Sequence, residues 1–277
     1  MTNIQHITDT TKLNNGIQMP WLGFGVFQTK EGNEVIQAVS DALETGYRSI
    51  DTAAAYGNET GVGTAIKQSG VSRSELFVTT KLWNADQGYD SALRAFDESR
   101  KKLGLDVIDL YLIHWPVKGK YKDSWKAMEK LYRDGSVRAI GVSNFQIHHL
   151  NDLLQNSEVV PAVNQIELHP LLSQTELRRF CQEKGIQVEA WSPLIQGKHN
   201  LPLLKELADK YHKSAAQIIL RWDLQSGIVT IPKSIHTERI RENANVFDFT
   251  LSDEDIQRLD GLNRNERTGA DPDNFNF

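Results

Sequence analysis

The sequence predicts an α/β fold, a single (β/α)8 barrel of the TIM type, and three observations support this fold class. Short runs rich in β-forming residues alternate with amphipathic helical stretches along the whole chain. Glycines repeatedly separate a helical stretch from the next apolar run, at a pitch close to the roughly 30-residue length of one βα unit. No linker rich in Pro, Gly or Ser and no change in composition divides the 277 residues, so we expect one domain over residues 1–277.

The first predicted element is a β-hairpin within residues 11–21. Asn15 and Gly16 form an Asn-Gly pair between short apolar flanks, which is a strong signal of a tight hairpin turn. We expect this hairpin to cap the bottom of the barrel.

Eight runs are then predicted as barrel strands, and several are nearly continuous hydrophobic segments, as is typical of strands buried on both faces. In chain order they span residues 23–27, 49–52, 77–81, 109–114, 139–143, 163–168, 187–191 and 227–231. Helical stretches with apolar residues at three-and-four spacing lie between them. The glycines that end such stretches before a strand are Gly46, Gly70, Gly104, Gly135 and Gly185. This repeated order favours a closed barrel over an open doubly wound sheet.

The charge balance argues against a nucleic-acid partner. The chain has 31 Lys and Arg against 36 Asp and Glu, a formal net charge of −5, and no dense basic run. It shows no basic start followed by an apolar stretch, and no window approaches about 18 consecutive apolar residues, so we expect neither export nor a membrane span. We therefore expect a cytoplasmic protein, and a monomer, because a closed barrel buries its strands without a partner. The single cysteine, Cys181, cannot form an internal disulfide and is expected to be a structural thiol on a helix.

Four ionisable residues close or follow three consecutive predicted strands. Asp51 ends the second strand, Tyr56 follows five residues later, Lys81 ends the third and His114 the fourth. Because the carboxyl ends of barrel strands meet at one mouth, we expect these side chains to converge there. Each alone has a structural alternative, such as a buried ion pair or a packed ring, but their joint occurrence favours a catalytic site.

The chemistry of these four residues suggests an acid. A lysine that closes an apolar strand is costly to bury without a partner, and Asp51 is the obvious one. An ammonium beside a phenol favours the phenolate, so we expect Lys81 to lower the pKa of Tyr56 from about 10 toward neutrality, which makes Tyr56 a proton donor. A neutral His114 would orient the substrate oxygen, provided that a neighbour fixes its tautomer.

The sequence resembles the aldo-keto reductase family over essentially the whole chain. The resemblance is carried by GFGVF, SIDTAAAYGNE, TTKLWN, DLYLIHWP, GVSNF, VNQIELHP, WSPL and IPKS. The family's four catalytic residues map onto Asp51, Tyr56, Lys81 and His114, and the chain is most similar to bacterial glyoxal or methylglyoxal reductases and 2,5-diketogluconate reductases. The resemblance implies hydride transfer from a nicotinamide to a carbonyl carbon while Tyr56 protonates the oxygen, without a metal.

The phosphate site must differ from a Rossmann fingerprint, because neither glycine-containing candidate, at residues 23–28 or 61–66, has the third glycine. Barrels usually bind phosphate at the loops after the last two strands, near a helix N-terminus. Lys233, Ser234 and Arg239 offer two cations and a hydroxyl there, which suits a phosphomonoester and favours NADPH over NADH. The structural alternative is a helix cap with solvated charges.

The resemblance implies the other cofactor contacts. Glu242 and Asn243 would hold the adenine, and Trp191 stands where many relatives have a tyrosine that stacks on the nicotinamide; a core aromatic is its structural alternative. The residues implied for the carboxamide are Ser143, Asn144 and Gln165, and those implied for the pyrophosphate path are Ser192 and Leu194.

Aromatic residues near the strand ends are candidates for the substrate wall, namely Trp21, Phe27, Trp83 and Trp115. Core packing explains Trp21 equally well. The polar tail over residues 269–277 is either a loose terminus or a flap that uses Phe275 and Phe277. Because this tail and the stretch after Trp115 are short for the family, we expect an open pocket and broad selectivity.

No metal is expected, since the sequence contains neither HxH nor HExxH. His148 and His149 are adjacent on a predicted helix, so we expect them to diverge by about 100° and to lie on the surface.

The leading interpretation is an NADPH-dependent reductase of small aldehydes and ketones, such as glyoxal or methylglyoxal. One alternative is an NADPH-binding redox-sensing module with slow turnover on the same fold. Another is a barrel isomerase or aldolase that uses Lys81 as a Schiff base, against which the neighbouring Asp51 argues by keeping the lysine charged.

Overall fold

The computed structural model describes residues 4–277 and confirms the predicted barrel. A two-stranded antiparallel hairpin, β1 (Thr10–Lys12) and β2 (Gln18–Pro20), precedes eight parallel strands. These strands follow one another around the sheet in chain order: β3 (Phe24–Gly25), β4 (Ser49–Asp51), β5 (Phe77–Leu82), β6 (Ile108–Ile113), β7 (Val137–Ser143), β8 (Val163–Glu167), β9 (Gln187–Trp191) and β10 (Val229–Thr230). Each of the eight predicted runs overlaps one of them.

Backbone hydrogen bonds close the sheet between its first and last strands. The amide of Gly23 donates to the carbonyl of Thr230 at 3.0 Å, and the amide of Thr230 donates to the carbonyl of Trp21 at 3.1 Å. A side chain at Gly25 would place its Cβ 3.1 Å from the carbonyl oxygen of Ile231. The glycines of GFGVF therefore serve the close approach of two strands at this seam.

Helices connect the strands and cover the outside of the barrel. They are α1 (Asn33–Thr45), α2 (Glu59–Gln68), α3 (Tyr89–Leu103), α4 (Tyr121–Arg133), α5 (Ile147–Leu154), α6 (Thr175–Glu183), α7 (Pro202–Tyr211), α8 (Ala215–Gln225), α9 (Thr237–Ala244) and α10 (Asp253–Asp260). Within the described residues, short 3-10 helices lie in the loops at Ala54–Tyr56, Arg73–Glu75, Asn84–Asp86 and Ile195–Gly197. The five predicted stop glycines all have positive φ, and Gly104, for example, ends α3 in the left-handed conformation that a side chain would disfavour.

The hairpin lies at the end of the barrel where the strands begin. The side-chain amide of Asn14 donates to the carbonyl of Pro161, just before β8, and that of Asn15 donates to the carbonyl of Arg138 in β7. The hairpin therefore covers the amino-terminal end of the barrel, as predicted, and leaves the carboxyl-terminal end open to loops.

Cys181 is buried in α6, where burial raises the pKa of its thiol to about 11, so it is a structural thiol as predicted.

Among residues 4–277, no helix combines the length and the apolar character needed to cross a membrane.

Candidate active site

The four predicted catalytic residues lie together at the carboxyl end of the barrel. Asp51 is the last residue of β4, Lys81 is the penultimate residue of β5 and His114 directly follows β6. Tyr56 ends the short 3-10 helix that follows β4. Neighbouring parallel strands thus deliver all four side chains to one mouth.

Lys81 is the centre of this cluster. Its side chain is fully buried, and its ammonium donates to Asp51 Oδ1 at 2.6 Å and to the carbonyl of Thr52 at 2.9 Å. The same ammonium lies 3.4 Å from the hydroxyl of Tyr56. The sequence predicts this arrangement, in which a buried lysine has a buried counter-ion and lies next to a phenol.

The electrostatics of the pair are set by burial and by the neighbouring charges. Burial lowers the pKa of Lys81, but the Asp51 carboxylate and Tyr56 outweigh it, so the net pKa is raised and the lysine stays charged. This charge disfavours a Schiff base on Lys81, which needs a neutral amine.

The pKa of Tyr56 departs from its ordinary value in the direction opposite to our expectation. Burial raises it, and the charge of Lys81 opposes this increase without cancelling it, so the net pKa lies above that of a free tyrosine. The prediction of a pKa near neutrality is wrong, because it counted the cation and left out the desolvation of the phenolate. Tyr56 is therefore a protonated phenol at neutral pH, in a position to donate.

His114 is buried next to this phenol. Its ring lies 5.7 Å from the ring of Tyr56 and 5.3 Å from that of Trp83, in edge-to-face contacts. Burial, with a smaller contribution from the charge of Lys81, holds the pKa of His114 well below its usual range, so the ring is neutral as expected. The expected neighbour that fixes the tautomer is missing: Nδ1 is buried and has no hydrogen-bond partner among residues 4–277.

The three residues implied for the carboxamide, together with Trp191, lie beside this cluster. The Ser143 hydroxyl donates to the backbone carbonyl of Gln165 at 2.8 Å, and the Asn144 side chain donates to the backbone carbonyl of His114 at 3.0 Å. Trp191 donates from its indole nitrogen to Asn144 Oδ1 at 2.8 Å, which fixes the orientation of its ring. The structure therefore brings these polar groups and the flat ring of Trp191 to the mouth that holds the acid cluster, which is formed by Asp51, Tyr56, Lys81 and His114.

Gln165 connects the acid cluster to a residue that we did not predict. Its amide nitrogen donates to Asp51 Oδ2 at 2.8 Å and to Glu189 Oε2, also at 2.8 Å. Glu189 is fully buried in the middle of β9. The signal in the sequence was a carboxyl residue inside the apolar run QVEAW.

The predicted phosphate cluster lies at the start of α9. Lys233 and Arg239 are exposed, and neither has an ion-pair partner among the described residues 4–277. Ser234 Oγ accepts from the amide of His236 at 3.0 Å, and no side chain in the described part of the chain caps the helix. Two unpaired cations and an uncapped helix N-terminus form a donor set that fits a phosphomonoester.

The remaining residues implied for the dinucleotide lie on α9 or directly after β9. Glu242 and Asn243 are on α9, where Glu242 is half-buried and Asn243 is buried. Ser192 and Leu194 follow β9, and Ser192 has a left-handed φ of 54°. The segments that follow β9 and β10, including α9, thus carry every residue implied for the adenine, the phosphates and the pyrophosphate path.

Aromatic side chains surround the cluster. The ring of Phe27 lies 5.0 Å from that of Tyr56, and Phe277 stacks on Trp83 at 6.0 Å and contacts Trp115 edge-on at 5.2 Å. The Asn84 side chain donates to the backbone carbonyl of Phe277 at 3.0 Å.

The tail therefore has the flap arrangement rather than that of a loose terminus. Phe275 also packs against Trp115, with the ring centroids 5.1 Å apart. The expectation of an open pocket did not take this contact into account: even a short tail reaches the aromatic wall.

Trp21 does not belong to this wall. It follows β2 directly, its amide donates to the carbonyl of Asp9 near the hairpin, and its side chain is buried in the core. Since it precedes β3, it lies toward the amino-terminal end of the barrel. Of the two interpretations of Trp21, the structure supports core packing.

His148 and His149 do not diverge as predicted. Their rings lie 4.0 Å apart, and the Nε2 atoms lie 2.9 Å and 3.5 Å, respectively, from Asp273 Oδ1 in the tail. His149 Nδ1 accepts from the amide of Gln146, which places the proton of a neutral ring on Nε2. These contacts connect α5 to the tail through Asp273. A metal bound at His149 Nε2 would move the ring proton to Nδ1 and break the hydrogen bond from Gln146. The helical spacing failed here because it gives the Cβ directions and not the rotamers.

Fold and site together define a barrel enzyme in which Asp51, Tyr56, Lys81 and His114 meet at the carboxyl ends of the strands, and two exposed cations, Lys233 and Arg239, lie near the start of α9. The model of the Aldo/keto reductase family matches residues 21–264. The chain belongs to this family.

The relatives cover nearly the whole chain. Glyoxal reductase of Bacillus subtilis (strain 168) is 59% identical over 272 residues, which covers 98% of this chain and 99% of the relative. Methylglyoxal reductase DkgA of Escherichia coli (strain K12) is 50% identical over 269 residues, which covers 95% and 97%. A crystal structure of a Gox0644 mutant in complex with NADPH is 42% identical, covers 97% of this chain and 98% of that one, and superposes with a TM-score of 0.93.

Proposed function

We propose that the protein reduces small aldehydes and ketones with NADPH, and that Tyr56 is the proton donor. The observation that carries this proposal is the Tyr56 hydroxyl 3.4 Å from the buried ammonium of Lys81, beside a neutral His114. A buried phenol next to a fixed cation loses its proton to a developing alkoxide more easily than an equally buried phenol without the cation.

The polar groups of the site support NADPH as the cofactor. Lys233 and Arg239 have no ion-pair partner within residues 4–277, so both are available to a phosphomonoester. Gln165 uses its amide nitrogen on two carboxyl groups, and its oxygen accepts no hydrogen bond from the described residues, so it is available to a carboxamide. The ring of Trp191, held by Asn144, offers a flat apolar face. A relative of known structure is described as an NADPH complex.

The residues of this chain have separate tasks in the reaction. When bound, NADPH supplies the hydride that reduces the carbonyl carbon. Tyr56 donates its proton to the substrate oxygen, and Lys81 stabilises the resulting phenolate. Asp51 keeps Lys81 charged and in place, and His114 orients the substrate oxygen through a hydrogen bond from its neutral ring.

Small dicarbonyls are the substrates that we propose. The relatives named above are a glyoxal reductase and a methylglyoxal reductase. In this chain the aromatic rings of Phe27, Trp83 and Phe277 narrow the mouth above Tyr56 and His114, which suits a compact substrate.

The proposed function is tested by mixing the purified protein with NADPH and following the loss of NADPH absorbance. The substrates are methylglyoxal, glyoxal, 2,5-diketogluconate and an aromatic aldehyde, each with NADPH and with NADH. We expect turnover of at least one dicarbonyl and a preference for NADPH. No turnover of any carbonyl with either dinucleotide contradicts the proposed function.

A further inference from the structure

Glu189 is a buried carboxyl group that the proposed mechanism does not use. It lies in the interior of the barrel on β9, where it is the register partner of Gln165 on the neighbouring strand β8. Its Oε2 accepts from the side-chain nitrogen of Gln165 at 2.8 Å, and its Oε1 is buried without a partner among residues 4–277. Burying a carboxyl group costs free energy unless hydrogen bonds compensate for the lost water. The hydrogen bond from Gln165 is the contact that compensates for the burial of Glu189.

The consequence of this contact is the orientation of the Gln165 amide. An amide nitrogen carries two hydrogens, and Gln165 directs this nitrogen at the carboxyl groups of Asp51 and Glu189. A flipped amide would present its oxygen to the Asp51 carboxylate and lose that hydrogen bond, and it would also lose the bond to Glu189 unless Glu189 carried a proton on Oε2. The side-chain oxygen of Gln165, Oε1, is therefore the polar atom of Gln165 that remains for a ligand.

We propose that Glu189 is a positioning residue that holds the oxygen of Gln165 available as an acceptor for the carboxamide NH2 of the nicotinamide. This inference rests on the proposed function, since it presupposes that the chain binds NADP(H). It assigns a role to a residue that does not touch the dinucleotide itself.

The charge state of Glu189 fits such a role. Burial, together with the negative charge of Asp51, raises the pKa of Glu189 to about 8, so it carries a proton at neutral pH. The charged groups that face it are Asp51 on β4 and Lys81 on β5, which balance each other. A neutral carboxyl group still accepts from Gln165 through its carbonyl oxygen, and it adds no negative charge beside Tyr56.

The test compares variants that keep or remove the acceptor. Glu189→Gln keeps an acceptor oxygen at this position, whereas Glu189→Met and Glu189→Leu remove it in two different shapes. Asp223→Asn is the matched control: Asp223 is also a buried carboxyl group, it accepts from Thr230 at 2.8 Å, and its Oδ1 has no partner within residues 4–277. Circular dichroism selects the variants that fold.

Three ligands are titrated by calorimetry against each folded variant. NADP+ has the carboxamide, its acetylpyridine analogue lacks the NH2, and adenosine 2′,5′-bisphosphate lacks the nicotinamide altogether. We expect Glu189→Met and Glu189→Leu to weaken NADP+ binding about threefold to tenfold, the loss typical of one weakened hydrogen bond. Their affinity for the other two ligands is expected to stay at the wild-type value, and Glu189→Gln and Asp223→Asn are expected to bind all three normally.

Two results would overturn the inference. One is wild-type affinity for NADP+ in the folded variants that lack the acceptor. The other is an equal loss for NADP+ and for the acetylpyridine analogue, which indicates a general disturbance of the site. If wild-type protein fails to bind NADP+ at all, the proposed function is wrong and this inference falls with it, whereas normal wild-type binding with an unaffected Glu189→Met variant removes only the inference.

Discussion

The ammonium of Lys81 lies 2.6 Å from Asp51 Oδ1, and both side chains are almost fully buried. A buried ion pair adds little net stability over an apolar pair, but removing one partner leaves an uncompensated charge in the barrel. The pair therefore serves the site more than the fold, and its two roles can be separated by mutation.

Lys81→Met should abolish turnover and lower the free energy of unfolding by about 3 kcal/mol, because Asp51 loses its counter-ion. The double variant Lys81→Met with Asp51→Asn should regain most of this stability while remaining inactive. Urea unfolding and NADPH oxidation measure the two effects. A double variant as unstable as the single one would show that the ion pair holds the barrel together.

Replacing the two cations at the phosphate loop should discriminate between dinucleotides. Lys233→Ala and Arg239→Ala should each weaken NADPH binding about tenfold or more, the loss expected for a hydrogen bond to a charged group, and should leave NADH binding unchanged. Fluorescence titration gives both dissociation constants. Lys205→Ala, at an exposed lysine on α7, is the control. Equal losses for NADPH and NADH would place the extra phosphate elsewhere.

The aromatic contact of the tail predicts an effect on substrate preference. Phe277→Ala removes a ring that stacks on Trp83. Because such a contact contributes about 1 kcal/mol, kcat/KM for an aromatic aldehyde should fall about fivefold relative to methylglyoxal. Phe249→Ala, which removes a ring packed against Tyr211, is the control. If the ratio of the two substrates does not change, the tail is no part of the substrate wall.

Glu189 should make stability depend on pH. Its pKa is about 8 in the folded chain, far above that of an unfolded carboxyl group, so the folded state holds the extra proton between these values. The stability that Glu189 contributes is complete below about pH 4 and is lost as the pH rises to 8. Relative to wild type, Glu189→Gln should therefore gain stability between pH 5 and pH 9, by on the order of 4 kcal/mol. Unfolding curves that keep a constant difference over this range would contradict the assignment of the proton to Glu189.

Much of the fold was predictable because barrel strands are short, apolar and separated by glycines. The convergence of Asp51, Lys81 and His114 was predictable for the same reason, since each stands at the end of a strand and strand ends meet. The sequence left Trp21 open between the substrate wall and the core, although its position before the first barrel strand already favoured the core. The contact between Gln165 and Glu189 depends on the register of two strands, which no motif encodes.

Side-chain energetics were harder to predict than positions. The neighbours of Tyr56 followed from the sequence, but the direction of its pKa depends on how completely the phenol is desolvated, and that requires coordinates. The contact between His148 and Asp273 depends likewise on side-chain rotamers and on the path of the tail.

The most direct test of the central claim is a single-turnover measurement on Tyr56→Phe with NADPH and methylglyoxal. We expect the rate of NADPH oxidation to fall at least about 100-fold, the contribution typical of a general acid, while the dissociation constant of NADPH stays within about twofold of wild type. A Tyr56→Phe variant that oxidises NADPH at the wild-type rate would show that the proton comes from another group.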